Sequence, residues 1–354
     1  LKLTQLILMI DLRSDTVTKP SPEMLEFMMK ASVGDDVFGE DSAVNELQHF
    51  AADMFGMEAS LFCASGTMTN QIAIKLHTQP GDEVICDKLS HIYLYEGGGI
   101  ASNSGASVRL LEGNLGRFTS EQVLENINDK GNIHFPLTKL VSIENTVNKG
   151  GGACWEIDEI IKIKEVCQKN NMALHMDGAR LFNALIEKNQ SPKVFGQLFD
   201  TISICLSKGL GAPVGSLLLG NKGHITKATR IRKVMGGGMR QAGFLAAAGL
   251  FALQNNIERI TVDHLNAKKL EACLITCHFV ENIYSVETNI IIFKLNPQII
   301  SAVQLIDFLK QNGILAVTMG HNLVRFVLHL DISESGLNFV INILNELNFK
   351  RTIL

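Results

Sequence analysis

Apolar and polar positions alternate along this chain with two periods, one helical and one extended, and the switches between them mark its elements. An extended arm runs through Lys19. Ser21 as N-cap with Pro22 at the first helical position predicts a short helix over 22–30. After a loop rich in glycine and acids, Val44, Leu47, Phe50, Ala51 and Met54 form one stripe over 43–56, with Gly56 as the stop. A short strand over 59–63 then runs directly into Ala64-Ser65-Gly66-Thr67 and an apolar helix over 68–76.

Further strands are expected at 83–86, 107–111, 139–144, 173–176, 201–206 and 216–219, with helical spacing at 120–128 and 157–170. Strands that alternate with helices argue for an α/β fold with a mostly parallel sheet and crossover helices. A helix of small residues over 241–253 and a longer one from Ile257 lead into a different pattern, with strands at 283–295 and 323–329 and helices at 301–312 and 334–347. This reads as a smaller C-terminal α+β domain. The expected division is an N-terminal arm 1–20, a large domain 21–255 and a small domain 256–354.

Ligands of such sheets bind beyond the carboxyl ends of the strands. Three predicted strands end in candidate chemistry: one at Glu144-Asn145-Thr146, one at Asp177-Gly-Ala-Arg180, and one at Ser207-Lys208-Gly209. The sequence between Asp177 and Lys208 is long enough for a helix and a return strand, so both can reach one sheet edge. That pair points to pyridoxal phosphate. A lysine in a desolvated site suits a Schiff base, and an acid facing it can hold a pyridine nitrogen protonated. Singly, each residue also reads as a helix cap or a surface charge.

Around this pair stand weaker signals. Ser65-Gly66-Thr67 opens a helix and can offer backbone N–H groups and a hydroxyl to phosphate, although an ordinary N-cap looks the same. His91, ahead of the flexible stretch Glu96-Gly97-Gly98-Gly99, can lie against a pyridine ring, act as an acid–base group, or be structural. Gly236 to Gly238 are flanked by Arg230, Arg232, Lys233 and Arg240, either a solvated face or an anion site. Arg325 is an isolated charge in an apolar run, suited to a carboxylate or to a sheet edge.

Composition narrows the classes. The chain has 354 residues, 46% hydrophobic and 19% charged, with a net charge of −4, a globular balance that disfavours a dedicated nucleic-acid binder. Seven cysteines without regular spacing are not a disulfide framework and fit a reducing cytoplasm. Cys273, Cys277 and His278 lack a fourth zinc ligand nearby, so no metal is expected. The apolar run at the N-terminus is too short to span a bilayer, and no other run reaches membrane length. Met9 is an expected natural start, the residues before it being an upstream extension.

Taken in order, several motifs resemble the low-specificity L-threonine aldolases of the aspartate-aminotransferase-like, fold-type-I pyridoxal phosphate superfamily. They are Asp11-Leu-Arg-Ser-Asp-Thr-Val-Thr18, Gly34-Asp-Asp-Val-Phe-Gly-Glu-Asp41, Ser65-Gly-Thr-Met-Thr-Asn70, Glu144-Asn-Thr146, His175-Met-Asp-Gly-Ala-Arg180, Leu206-Ser-Lys-Gly-Leu-Gly211, Gly236-Gly-Gly-Met-Arg-Gln241 and Arg325-Phe-Val-Leu-His-Leu-Asp331. The resemblance covers nearly the whole chain. It implies Lys208 as the cofactor-bearing lysine, Asp177 at the pyridinium nitrogen and His91 stacked on the ring, with Ser65, Gly66 and Thr67 holding the phosphate. It also implies that Arg240 and Lys233 approach a cofactor phosphate across a subunit interface, in a homo-oligomer built as a dimer of dimers. Ser14, Arg180 and Arg325 would clamp the carboxylate of an amino-acid substrate, with Arg180 also beside the cofactor.

The implied reaction is retro-aldol cleavage of L-threonine or L-allo-threonine to glycine and acetaldehyde. Two positions depart from the family pattern. Val147 stands where a histidine commonly follows Glu-Asn-Thr, leaving the general base open between a phosphate-bound water and His91, and Phe38 replaces a tyrosine of the acidic loop. Together they predict a less polar pocket. The rivals are another pyridoxal phosphate reaction on a different β-substituted amino acid, such as phenylserine cleavage, β-elimination or racemisation, and a non-catalytic binding protein of the same fold. A nicotinamide enzyme is disfavoured by the missing glycine fingerprint.

Overall fold

The structure is a computed structural model in which residues 9–349 are described. The stretch ahead of Met9 lies outside the described residues. The chain enters along a two-residue strand β1 (Ile10–Asp11) and caps a short helix, Pro22–Met29, with the Ser21 hydroxyl accepting from the Met24 amide. The helix Ser42–Phe55 follows and ends at Gly56, whose φ of 63° is the left-handed turn that stops it.

A seven-stranded sheet then forms from β2 (Ala59–Cys63), β3 (Asp82–Asp87), β4 (Ser107–Leu111), β5 (Leu137–Glu144), β6 (Ala173–Gly178), β7 (Thr201–Cys205) and β8 (Ser216–Gly220). Its spatial order is β2-β8-β7-β6-β5-β3-β4, and only β8 runs against its neighbours. Helices cover both faces, which explains why β6, β7 and β8 read as unbroken apolar runs. The large core gathers Phe55, Phe62, Phe118, Trp155 and Phe195. No described helix is long and apolar enough to cross a membrane.

After the helices Gly243–Asn255 and Ile260–Ile275 comes the smaller antiparallel sheet of the C-terminal domain. The run expected as one strand over 283–295 is in fact a hairpin of β9 (Val280–Ile283) and β10 (Ile290–Leu295). Polar Thr288 and Asn289 interrupt it. Thr288 Oγ1 donates to the Gly152 carbonyl and Asn289 Nδ2 to that of Leu328, so both satisfy backbone elsewhere. Two-residue strands β11 (Ile314–Leu315) and β12 (Val317–Thr318) precede β13 (Leu323–Val327), and β12-β13-β10-β9 is the order. The N-terminal arm is not a free appendage: β1 pairs in parallel with β11, and Ile10 and Leu12 are buried in the small domain's core with Phe279, Phe293 and Phe326. Cys273 and His278 bond across to the last helix through Asn345 and Asn348.

Candidate active site

The parallel strands deliver their C-terminal residues to one edge. Glu144 at the end of β5 is the register partner of Asp177 near the end of β6, which in turn neighbours Ser203 on β7. Lys208 follows three residues after β7. Asp177 is buried and held on both oxygens: Oδ1 accepts from the Ala179 amide at 3.1 Å and Oδ2 from Asn70 Nδ2 at 2.9 Å. Asn70 lies on the helix Gly66–His77, which starts where β2 ends.

That helix start has the geometry of an anion site. The Ser65 hydroxyl accepts from the Met68 amide, leaving the earlier amides of Gly66 and Thr67 without a helical partner. Gly66 has a steric reason to be glycine. A Cβ there would meet Cys205 Sγ at 2.5 Å.

His91 opens the short helix His91–Leu94. Its backbone amide donates to Glu144 Oε2 at 2.7 Å and its ring Nδ1 donates to Glu96 Oε1 at 3.0 Å. Burial pushes the imidazole pKa down, and the Glu96 hydrogen bond with the Asp177 charge more than offsets this, leaving it raised. Glu96 was expected in a flexible glycine stretch, but its side chain is fully buried, because Asn70 and Gln71 also donate to it. Glu144 is buried too, and its pKa rises to about 7 from desolvation and the nearby Asp177 charge, against the amides of Asn148 and His91 that favour its ionised form. His175 beneath Asp177 is held neutral by burial, its pKa lowered to about 4.

The small domain brings Arg325 to the same mouth. Its Nη1 donates to Asn148 Oδ1 at 2.8 Å and its Nη2 to the Arg13 carbonyl at 2.9 Å, while Nε is buried with no partner. Arg180, read as a substrate clamp, is first of all the partner of Asp15, which takes its Nε and Nη2. Ser14 caps the turn that carries Asp15, accepting from the Thr16 amide and hydroxyl. Arg240 pairs with Asp35 at 2.8 Å and buried Arg232 with Asp36, so the basic segment locks the acidic loop within one chain. Lys233 is exposed beside Gly238.

The two departures from the family pattern occupy different places in the chain. Val147 is 1% exposed and packs into the large core beside Gly116, directly before Asn148. Phe38 is 74% exposed on the surface of the chain. Sequence reasoning missed Glu96, Asn70, Asn148 and Asp15. The one available signal was an acid five residues after His91, within reach around a helical turn.

Fold and site together define a fold-type-I pyridoxal phosphate enzyme. Residues 11–296 match the model of the beta-eliminating lyase family, and the chain belongs to that family, among the low-specificity L-threonine aldolases. It is 42% identical over 330 residues to the low specificity L-threonine aldolase of Escherichia coli strain K12, covering 93% of this chain and 96% of that protein. The low-specificity L-threonine aldolase 1 of Arabidopsis thaliana is 39% identical over 338 residues, 94% of each chain. The structure of Leishmania major threonine aldolase shares the fold, with a TM-score of 0.83 at 21% identity over 96% of this chain and 99% of that one.

The residues present fit pyridoxal phosphate. The Gly66 cradle has no room for a Cβ, the Gly66 and Thr67 amides have no helical partner, and Asp177 is fixed at a strand end. Lys208 makes no ion pair among the described residues. Lys208 would carry the group, Asp177 would face its ring nitrogen, and Ser65, Gly66 and Thr67 would hold its phosphate.

Proposed function

We infer that this chain is a carbon–carbon lyase that cleaves L-threonine and L-allo-threonine to glycine and acetaldehyde. The observation that supports this reading is that Asp177 near the end of β6 and Lys208 three residues after β7 lie at neighbouring strand ends, while Arg325 of the small domain has a buried Nε without a partner among the described residues. When bound, pyridoxal phosphate supplies the electron sink for the carbon left by Cα–Cβ cleavage. Arg325 and Ser14 would bind the substrate carboxylate, with Arg180 contributing the nitrogen that Asp15 leaves free. A carboxylate fixed in this way restricts rotation about the substrate's backbone and so sets the direction of the bond that breaks. Asp177 would keep a proton at the ring nitrogen, and His91 lies beside the site with Nε2 in no hydrogen bond among the described residues.

Arg240 and Lys233 would reach a cofactor phosphate of a neighbouring subunit, in a homotetramer arranged as a dimer of dimers. A cytoplasmic location accords with seven free cysteines. The division into arm 1–20, large domain 21–255 and small domain 256–354 accords with the separate seven-stranded and four-stranded sheets, the arm joining the small domain through β1 and β11.

A panel of L-threonine, L-allo-threonine and phenylserine, assayed for glycine and aldehyde, tests the reaction. Ammonia with a keto acid would mean elimination and overturn the reading. Lys208→Ala is expected to abolish turnover and the absorbance of bound cofactor.

A further inference from the structure

Glu96 is a buried carboxylate with no lysine or arginine partner among the described residues. It is surrounded instead by three hydrogen-bond donors. Oε1 accepts from His91 Nδ1 at 3.0 Å and Asn70 Nδ2 at 2.9 Å, and Oε2 accepts from Gln71 Nε2 at 2.6 Å. The same Asn70 amide nitrogen donates to Asp177 Oδ2 at 2.9 Å, so one NH2 group bridges two carboxylates. Two carboxylates that can only accept face the amide nitrogen, so Asn70 Oδ1 is at the other end, 3.2 Å from His175 Nε2. Nδ1 of His175 lies 2.9 Å from the Thr201 hydroxyl and 3.2 Å from the Thr201 carbonyl. One nitrogen of His91 and one oxygen each of Glu96 and Asp177 lie within 4.8 Å of one another.

We propose that Glu96 is the positioning residue of the site, holding His91 in a single orientation with its proton on Nδ1, and that Asn70 ties this assembly to Asp177. The proposal rests on the aldolase reading only for its consequence in turnover. An ionised carboxylate can only accept, so the His91 nitrogen facing it must carry hydrogen, and Nε2 is left as the acceptor of the neutral ring. A buried carboxylate without a cation is costly unless fully hydrogen-bonded, which is what Asn70 and Gln71 provide. The charged or titratable groups facing His91 are Glu96 on its own loop, Glu144 at the end of β5, Asp177 on β6, Lys208 after β7, and the Tyr95 ring, 5.6 Å away. Of these, Glu96 alone bonds the imidazole directly.

The test is nitrogen NMR of the intact chain labelled at histidine, with and without pyridoxal phosphate, the His91 signal being assigned by its loss in His91→Asn. The wild type is expected to show the Nδ1–H form. In Glu96→Gln the form becomes mixed and the His91 titration midpoint moves to lower pH, because the carboxylate that supports the imidazolium is gone. In Glu96→Asp, which keeps the charge but not the reach, the same loosening is expected. Turnover should fall in Glu96→Gln by roughly ten- to a hundred-fold in kcat, the scale of a misplaced reacting group, with KM nearly unchanged. In a His91→Asn background the same substitution should cost less than about two-fold. An unchanged His91 tautomer in both Glu96 variants, or effects of Glu96→Gln and His91→Asn that multiply, would overturn the proposal. The NMR signal does not depend on which reaction is catalysed, so failure of the aldolase reading is seen separately.

Discussion

Asp15 and Arg180 close a buried two-pronged ion pair between the N-terminal arm and the mouth of the sheet, Nε to Oδ2 at 2.7 Å and Nη2 to Oδ1 at 2.6 Å. The pair gives the arm a structural role. It holds Ser14 next to the strand ends, and it aims the remaining nitrogen of Arg180.

Removing the acid should therefore cost stability as well as substrate binding. Burial by itself raises the Asp15 pKa, and the Arg180 guanidinium more than reverses this, holding it at about 2 against an ordinary 3.8. A depressed carboxyl contributes stability above its unfolded value and loses it as pH falls through the folded one. Asp15→Asn leaves a buried guanidinium unpaired and should cost about 3–5 kcal/mol at neutral pH by denaturant unfolding. Its Tm should also change less than the wild type's between pH 3.8 and about 2.

Gly66→Ala should weaken cofactor binding by crowding the phosphate cradle. The new methyl would meet Cys205 Sγ at 2.5 Å, an overpacking of the kind that costs about 1–3 kcal/mol. Adding Cys205→Ala should recover most of the loss. Titration of pyridoxal phosphate by absorbance, with Tm alongside, checks both variants; a single variant that binds normally would refute the crowding argument.

Glu144 links the two sides of the site. Its Oε2 takes the His91 amide and its Oε1 the Asn148 amide, and Asn148 in turn holds Arg325. Its pKa is raised to about 7 by burial and by Asp177, from an ordinary 4.5. An acid raised in the folded state binds more protons there than when unfolded, so stability falls as pH rises from 4.5 to about 7. Glu144→Gln should flatten that decline in a Tm-versus-pH series while lowering kcat/KM, since an amide cannot accept from both backbone N–H groups at once.

Arg325→Lys should raise KM for threonine by roughly ten-fold or more and leave cofactor binding alone. A lysine keeps the charge but loses the planar fork that reaches Asn148, Arg13 and a carboxylate together. Steady-state kinetics with a parallel cofactor titration separates the two effects.

Most of the fold could be read from local pattern. The helix Pro22–Met29 follows from Ser21 and Pro22, the helix Ser42–Phe55 from its apolar stripe and Gly56, and the sheet strands from buried runs of five to eight residues. The error at 283–295 has a local cause: Thr288 and Asn289 turn the chain, and their need for partners across the domain is invisible in periodicity.

The sequence by itself determined the strand and helix order, the acid and lysine at two strand ends and the glycine that opens the phosphate helix, because those depend on neighbours in the chain. Only tertiary structure decided which groups meet. Asp15 finds Arg180 across 165 positions, and Asn70 reaches Asp177 across 107. A buried charge is tolerable only beside the donors or acceptors that satisfy it, and those arrive from elements far apart in the sequence. The same requirement turns Glu96 from part of a glycine loop into a fixed partner of His91.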